Sequence, residues 1–423
     1  MRFGSGLLDI KFLGGAGEVG RSGFLLEGHR RILLDYGIKI DSVTEYPSDA
    51  GRVDACILSH AHLDHSGFTP SLFGHAFPAM FATEPTMALA ELLIEDSIKV
   101  HKKKHMNPHF HRNDLKSMLN RYTPCEYGKQ YEFGEYSISM HDAGHICGSA
   151  ISLIENLGNG RKLAYTGDLK VEKQLLEWGA EAVKSDILIT ESTYALKDHP
   201  AREEMMKRFV DEIREVVDNG GIALVPVFAV GRAQEMLALM NRFGLIQRTF
   251  FDGMAKAATE IVDMYPDYVK NVDLLKGAIN KAMWVENPRN RKHALEGGSV
   301  ILTTSGMLNG GPVLDYITRL NKNSKIFLTG YQAEGTNGRR LMEGKPLEID
   351  GREFRVHNPF SVYDFSAHAG KTDLHKFIRE SSPEKVICVH GSDESTAALV
   401  ADLKGEGFDA VAPKVGETVS VEF

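Results

Sequence analysis

The chain has 423 residues, 43% hydrophobic and 25% charged, with a formal net charge of −8. That length suits two cores rather than one, the composition is that of a globular protein, and no apolar run approaches the span of a bilayer. The acidic balance argues against a surface coated for nucleic acid, so any polyanion site must be local. The N-terminus, MRFGSGLLDIKFLGG, lacks the basic start, long apolar stretch and small-residue cleavage site of a secretory signal, and the expected location is the cytoplasm, with no membrane partner. Cys56, Cys125, Cys147 and Cys388 are scattered without a CxxC pair and read as reduced, buried thiols.

The first part of the chain reads as short strands: LLDIKFLG, GFLLEG, RRILLDYG, ACILSH, SISMHDAGH, AISLIE, KLAYTGD and DILITEST. Most end in Gly, His or Asp, as strands feeding a site do. The clearest helix among them runs from Pro85 to about His105, where Met87, Ala90, Leu93, Ile94 and Ile98 recur at helical spacing. Gly15-Ala16-Gly17-Glu18-Val19-Gly20 fits GxGxxG literally, but RSGFLLEG after it reads as a strand, not the helix a dinucleotide would need. These glycines are expected to form a tight hairpin near the cleft.

The pattern changes after Tyr194. Met205, Phe209, Ile213, Val216 and Val217 mark an amphipathic helix from Ala201 to Asp218, closed by Asn219, Gly220 and Gly221. IALVPVF, a helix from Gly231, RTFF, a helix from Met254, SVILTTS, a helix near Pro312 to Leu320 and KIFLTG then alternate, which predicts a mostly parallel sheet covered by helices. Asp350-Gly351 within LEIDGREFRV predicts a tight hairpin closing this region. From about Asn358 the strand-ending histidines return in DFSAHAG and VICVHGS. The middle therefore reads as an insertion, with residues 1–192 and 358–423 forming one domain and 193–357 the other.

Chemistry concentrates in Ser59-His60-Ala61-His62-Leu63-Asp64-His65, directly after an apolar strand. His60 and His62 alternate by two and face one side together, while Asp64 and His65 fall on the following turn. Such a segment feeds two metals at once, and imidazole with carboxylate suits a catalytic zinc that keeps an open position. HAHLDH resembles the HxHxDH signature of the metallo-β-lactamase superfamily. His145 in HDAGHICGSA and Asp168 in LAYTGD stand where that family has further ligands, and Asp35 in ILLDYG resembles its first motif, an aspartate that orients ligands from behind. Taken singly, His145 reads as a satisfied core histidine and Asp168 as a turn residue; the ordered set makes the case.

Glu191 in ITESTY, His368 in DFSAHAG and His390 in CVHGS resemble the three further motifs of β-CASP nucleases, with the insertion between the first two. The resemblance spans the chain and implies an α/β fold, a metallo-β-lactamase αββα sandwich with an inserted β-CASP α/β domain. It is similar to the short archaeal cleavage and polyadenylation specificity factor-like nucleases without KH regions. It implies two Zn2+, one held by His60, His62, His145 and a bridging Asp168, the other by Asp64, His65, Asp168 and His390. It further implies hydrolysis of RNA phosphodiesters by a two-metal-activated hydroxide, with Asp64, Glu191 and His368 catalytic. His368 would protonate the leaving ribose oxygen and Glu191 would orient it. A histidine at the third motif, His390, resembles RNA-acting members more than DNA-acting ones, and single-stranded RNA is the expected partner.

Arg232 in AVGRAQE, Ser305 and Gly306 in TTSGM, and Ser366 beside the proposed acid are candidate phosphate contacts, against a plain reading as loop and cap structure. His101-Lys102-Lys103-Lys104-His105 and Arg289 to His293 offer positive charge, though such runs are commonly solvated faces. Histidines 101, 105, 109 and 111 lack a carboxylate or cysteine that would complete another metal site. Two other readings stay open: a catalytically silent RNA-processing scaffold, and a zinc hydrolase of a small substrate. The sequence does not choose between endonuclease and 5′–3′ exonuclease, and leaves the oligomeric state open, a homodimer included.

Overall fold

A computed structural model describes residues 6–40, 44–74, 76–103, 105–106 and 108–423. The chain divides into two compact units, Met1–Lys173 with Trp178–Asp198 and His368–Phe423, and Gln174–Glu177 with His199–Ala367.

Two seven-stranded sheets form the first unit. One runs in the order Thr418–Glu422, Leu7–Gly14, Gly23–Glu27, Arg31–Leu34, Ala55–Ile57, Ala79–Ala82, Tyr122–Pro124. Its strand Leu7–Gly14 buries Leu8, Ile10 and Phe12 while Leu7 and Asp9 face solvent, the period-two pattern of a half-buried strand. The other runs Asp409–Val411, Lys385–Val389, Ile187–Glu191, Lys162–Tyr165, Ala150–Asn156, Tyr136–Asp142, Gln130–Phe133. Phe12, Phe24, Ile57, Met140, Ile154, Tyr165 and Ile189 share the core between the sheets. The far face of the second sheet is covered through Leu374, Phe377, Leu399 and Leu403 of helices Lys371–Ser381 and Asp393–Gly405. The helix expected from Pro85 spans Glu84–Lys103 and buries Met87, Ala90, Leu93, Ile94 and Ile98. Lys104, within the expected span, lies outside the described residues. Helices outside two facing sheets are the αββα sandwich.

Parallel registers bring strand ends to one edge. Leu34 pairs with Ile57, Tyr165 with Ile189 and Glu191 with Val389, so the residues that follow each strand emerge side by side, where open α/β sheets place their ligands. Residues 16–20 form bends leading toward Gly23–Glu27, with no helix. A pyrophosphate thus has no helix N-terminus there, and Gly15 at φ 71° accepts the His390 N–H at 2.7 Å.

Six parallel strands form the sheet of the second unit, in the order Met283–Trp284, Thr249–Asp252, Ser299–Thr303, Ile222–Pro226, Lys325–Leu328, Phe360–Val362. Ile222–Pro226 and Ser299–Thr303 are buried throughout, as central parallel strands covered on both faces must be. Helix Arg202–Asp218 contributes Met205, Phe209, Ile213 and Val217 to the core. Asp350 and Gly351, at φ 48° and 74°, turn the hairpin Leu347–Ile349/Arg352–Phe354, the left-handed pair that a two-residue turn requires.

That hairpin does not close the unit. Phe360–Val362 pairs with Lys325–Leu328 beyond it, so residues 358–367 group with the second unit, not with the C-terminal segment expected from 358. Residues 193–198 group with the first unit, and Gln174–Glu177 with the second. DFSAHAG forms no strand, and Gly370 makes an isolated bridge with Tyr194. No described helix is long and apolar enough to cross a membrane.

Candidate metal centre

Each side chain of the constellation follows a strand end or a short turn of the first unit. Asp35 follows Arg31–Leu34 in a left-handed conformation, φ 56°. Its Oδ1 accepts the Ser59 N–H at 2.7 Å, and its Oδ2 accepts Ser59 Oγ at 2.7 Å, His65 Nδ1 at 2.7 Å and the Tyr165 hydroxyl at 2.6 Å. Asp35 is fully buried, so these donors replace its hydration. Because His65 gives its Nδ1 proton to Asp35, its Nε2 lone pair is free for a metal. Ser59 Oγ, already donating to Asp35, receives His60 Nδ1 at 3.0 Å, which aims the His60 Nε2 lone pair inward in the same way.

The potential ligands fall into two sets sharing Asp168: His60, His62, His145 and Asp168, and Asp64, His65, Asp168 and His390, with ligand atoms within 4.8 Å of one another in each. Asp168 Oδ2 lies 3.5 Å from His60 Nε2 and 3.7 Å from His145 Nε2, while its Oδ1 lies 3.3 Å from His65 Nε2 and 2.7 Å from His390 Nδ1. His62 Nδ1 and His145 Nε2 converge to 3.1 Å, and His390 Nε2 stands 3.4 Å from Asp64 Oδ2. The backbone shapes the loops that carry them. Ser149 Oγ accepts the N–H groups of His145 and Ile146, both at 3.2 Å. His390, at φ 47°, accepts the Thr193 hydroxyl on its carbonyl at 3.0 Å.

Buried ring nitrogens need partners. His60 Nε2, His65 Nε2, both nitrogens of His390 and Asp168 Oδ1 are buried and make no hydrogen bond of good geometry. Imidazoles and carboxylates aimed at common points without hydrogen bonds fit divalent metal, zinc foremost. Burial pushes the Asp168 carboxyl upward, but His390, His65 and His368 outweigh it and hold the pKa well below the usual range, keeping the group ionised as a ligand must be.

Beside this set, Glu191 and His368 form a third cluster with Asp168. His368 Nδ1 lies 3.0 Å from both Glu191 oxygens, and its Nε2 lies 3.9 Å from Asp168 Oδ2. Burial opposes a charge on His368, but the Glu191 and Asp168 carboxylates raise its pKa above the ordinary value.

All seven ligand candidates, with Asp35, Glu191 and His368, thus meet within the first unit. The candidate phosphate contacts belong to the second unit. Arg232 is a buried first residue of helix Arg232–Arg242, Ser305 Oγ accepts the Asn309 N–H at 3.1 Å, the Gly306 carbonyl accepts Gln332 Nε2 at 3.2 Å, and Ser366 is buried. Of the basic run Arg289–His293, Arg291 is committed to Asp252 at 2.8 Å. His101 bonds back to the Ser97 carbonyl at 2.8 Å and His109 packs on Tyr46, so neither reaches toward a shared metal. Sequence reasoning assigned no role to Ser59 or Tyr165. Their proximity to HAHLDH and to Asp168 was the only signal, and their role depends on pairing with Asp35 across the fold.

A model of the Beta-Casp domain matches residues 233–341, one of the Zn-dependent metallo-hydrolase RNA specificity domain matches 359–413, and one of the anti-Pycsar protein Apyc1 matches 19–217. The chain belongs to the β-CASP ribonuclease family of the metallo-β-lactamase superfamily. It is 35% identical to the probable RNase MJ4 of Methanocaldococcus jannaschii over 98% of this chain and 100% of that one. RNase aCSPSF2 of Saccharolobus solfataricus is 32% identical over 97% and 85% of the two chains, and transcription termination factor FttA of M. jannaschii is 36% identical over 93% and 68%. A protein of unknown function from Enterococcus faecalis V583 shares the fold, with a TM-score of 0.63 at 14% identity over 98% of this chain and 100% of that one.

Proposed function

We propose that this protein is a two-zinc ribonuclease that hydrolyses RNA phosphodiester bonds in RNA processing or decay, leaving a 3′-hydroxyl and a 5′-phosphate. The observation that carries the reading is Asp168, whose Oδ2 and Oδ1 each face a separate set of imidazoles, with the Glu191–His368 pair beside it. One zinc would be held by His60, His62, His145 and Asp168 and the other by Asp64, His65, Asp168 and His390, together supplying Lewis acidity toward the phosphate oxygens and activation of a water nucleophile.

His368 acts as general acid. Its Nδ1–H is committed to Glu191, which orients the ring and favours a second proton on Nε2, the atom turned toward Asp168. From there the proton passes to the departing ribose oxygen. Substrate positioning falls to Arg232, Ser305, Gly306 and Ser366 of the second unit, through guanidinium, hydroxyl and backbone N–H donors. The names of the relatives, ribonucleases and termination factors, support RNA as substrate, and single-stranded RNA presents its backbone most openly.

The test is incubation of zinc-loaded protein with RNA labelled separately at either end and bearing a 5′-triphosphate, monophosphate or hydroxyl, beside matched DNA and an Asp64→Ala control. Internal fragments from RNA alone mark an endonuclease, and 5′ mononucleotides blocked by triphosphate mark an exonuclease. Protein that holds two zinc ions and leaves every RNA intact would remove the ribonuclease reading in favour of a scaffold or small-substrate hydrolase.

A further inference from the structure

We propose that Lys170 is a positioning residue for His368, holding the proton donor in place through its backbone carbonyl; this rests on the reading of His368 as general acid. Lysine is almost never fully buried unless paired, because its ammonium is strongly hydrated. Lys170 is nevertheless only 1% exposed. Its Nζ donates to the His368 carbonyl at 3.2 Å and lies 3.5 Å from Glu172 Oε2.

The peptide that carries this side chain is itself held. The Lys170 N–H donates to the Ala143 carbonyl at 2.9 Å, and its carbonyl accepts the Ala180 N–H at 2.8 Å. Gly144, at φ 66°, packs so closely on that carbonyl that a Cβ there would collide with it. The preceding residue grips the same target from other sides. The Leu169 N–H donates to Glu191 Oε1 at 2.6 Å, and the Leu169 carbonyl accepts the Ala369 N–H at 2.5 Å.

The dipeptide after Asp168 therefore splints His368 at three points: the carbonyl through Lys170, the following N–H through Leu169, and the ring through the Glu191 that Leu169 orients. All of these residues lie in the first unit. His368 lies in a segment without a ladder, and a rotation of its peptide plane swings Nε2 away from the leaving oxygen. In the step served, the P–O3′ bond breaks and its electron pair stays on oxygen, which takes the Nε2 proton of His368. Water supplies the oxygen of the new P–O bond and gives up one proton to solvent, which leaves a 3′-hydroxyl and a 5′-phosphate. Lys170 neither gives nor takes a proton.

A leaving group that needs no proton isolates this role, since a thiol ionises near neutrality and an alcohol does not. Steady-state cleavage is measured on RNA with a 3′-sulfur at the scissile linkage and on its all-oxygen counterpart, for wild type, Lys170→Met, Lys170→Gln, Lys170→Arg and His368→Ala. On the oxygen substrate Lys170→Met and Lys170→Gln are expected to lose ~10- to 100-fold in kcat, with KM and zinc content near wild type. Lys170→Arg, which still donates, keeps most of the rate. On the sulfur substrate both impaired variants and His368→Ala recover toward wild type. Full kcat on the oxygen substrate in a folded Met or Gln variant, or a loss that persists undiminished on sulfur, overturns the role of Lys170. Wild-type activity in His368→Ala overturns the acid assignment itself, a separate and recognisable failure.

Discussion

Asp35 shows how one residue outside both potential ligand sets can govern them. Four donors converge on its two oxygens: two groups of Ser59, the ring of His65 and the hydroxyl of Tyr165. Those bonds fix which nitrogen of His65 faces inward, and through Ser59 do the same for His60. Replacing Asp35 by Ala leaves the donors unsatisfied and both rings free to turn. Zinc affinity is expected to fall by about 10- to 100-fold, read by competition against a chelator of known affinity. Retention of wild-type affinity would show that the rings are held by packing alone.

Elements give the second unit its stability through a few buried or half-buried ionic groups. Residues Gln174–Glu177, a strap from the loop after Asp168, join that unit through backbone bonds. Leu175 and Leu176 donate to Glu235 at 3.2 and 2.6 Å, Lys270 donates to the Leu176 carbonyl at 2.8 Å, and Asn271 bonds the Leu175 carbonyl. Glu235 is 3% exposed and also pairs with Arg202 at 2.9 Å. Glu235→Ala strands a buried guanidinium and two N–H groups, and is expected to cost about 3 kcal/mol, seen as a lower urea midpoint and faster amide exchange at Leu175 and Leu176. Unchanged exchange there would mean that the strap is held by its apolar side chains.

Glu212 of helix Arg202–Asp218 tests the same unit by pH. Burial raises its pKa, but bonds from Lys325, Tyr363 and Ser361 outweigh that and lower it below the ordinary 4.5. A lowered folded pKa contributes stability above the unfolded value and loses it as pH falls through the folded one. Wild type should therefore exceed Glu212→Gln in stability at pH 7, by less than about 1 kcal/mol because solvent screens the site. The difference should shrink below pH 4.5. A gap that is constant with pH would assign it to packing.

At the scale of the whole molecule, metal binding and folding are expected to be coupled. Two sheets deliver their strand ends to one edge, and a cation that joined the buried ring nitrogens left there without hydrogen bonds would offset the cost of burying them. Removing metal with a chelator is expected to lower Tm, and zinc to restore it. At a free zinc concentration about 100-fold above Kd the gain approaches ~2.7 kcal/mol per site. An identical Tm with and without chelator, in protein whose metal content has been shown to change, would contradict that coupling.

Periodicity and spacing within single segments made the sandwich strands, the parallel middle sheet and HAHLDH legible, because strand alternation and ligand spacing are local properties written over fewer than about ten residues. His60, His62, Asp64 and His65 stood out by the same logic, whereas His145, Asp168 and His390 became candidates through family resemblance. What only the tertiary structure decided are relations across long separations. Asp35 meets the hydroxyl of Tyr165 from the opposite sheet, Phe360–Val362 joins a sheet whose other strands precede it, Gln174–Glu177 leaves its neighbours for the second unit, and Lys170 reaches the carbonyl of His368. No local pattern marks such residues. Their partners are chosen by sheet register and by the need to satisfy buried polar groups, and both are settled only when the whole chain packs.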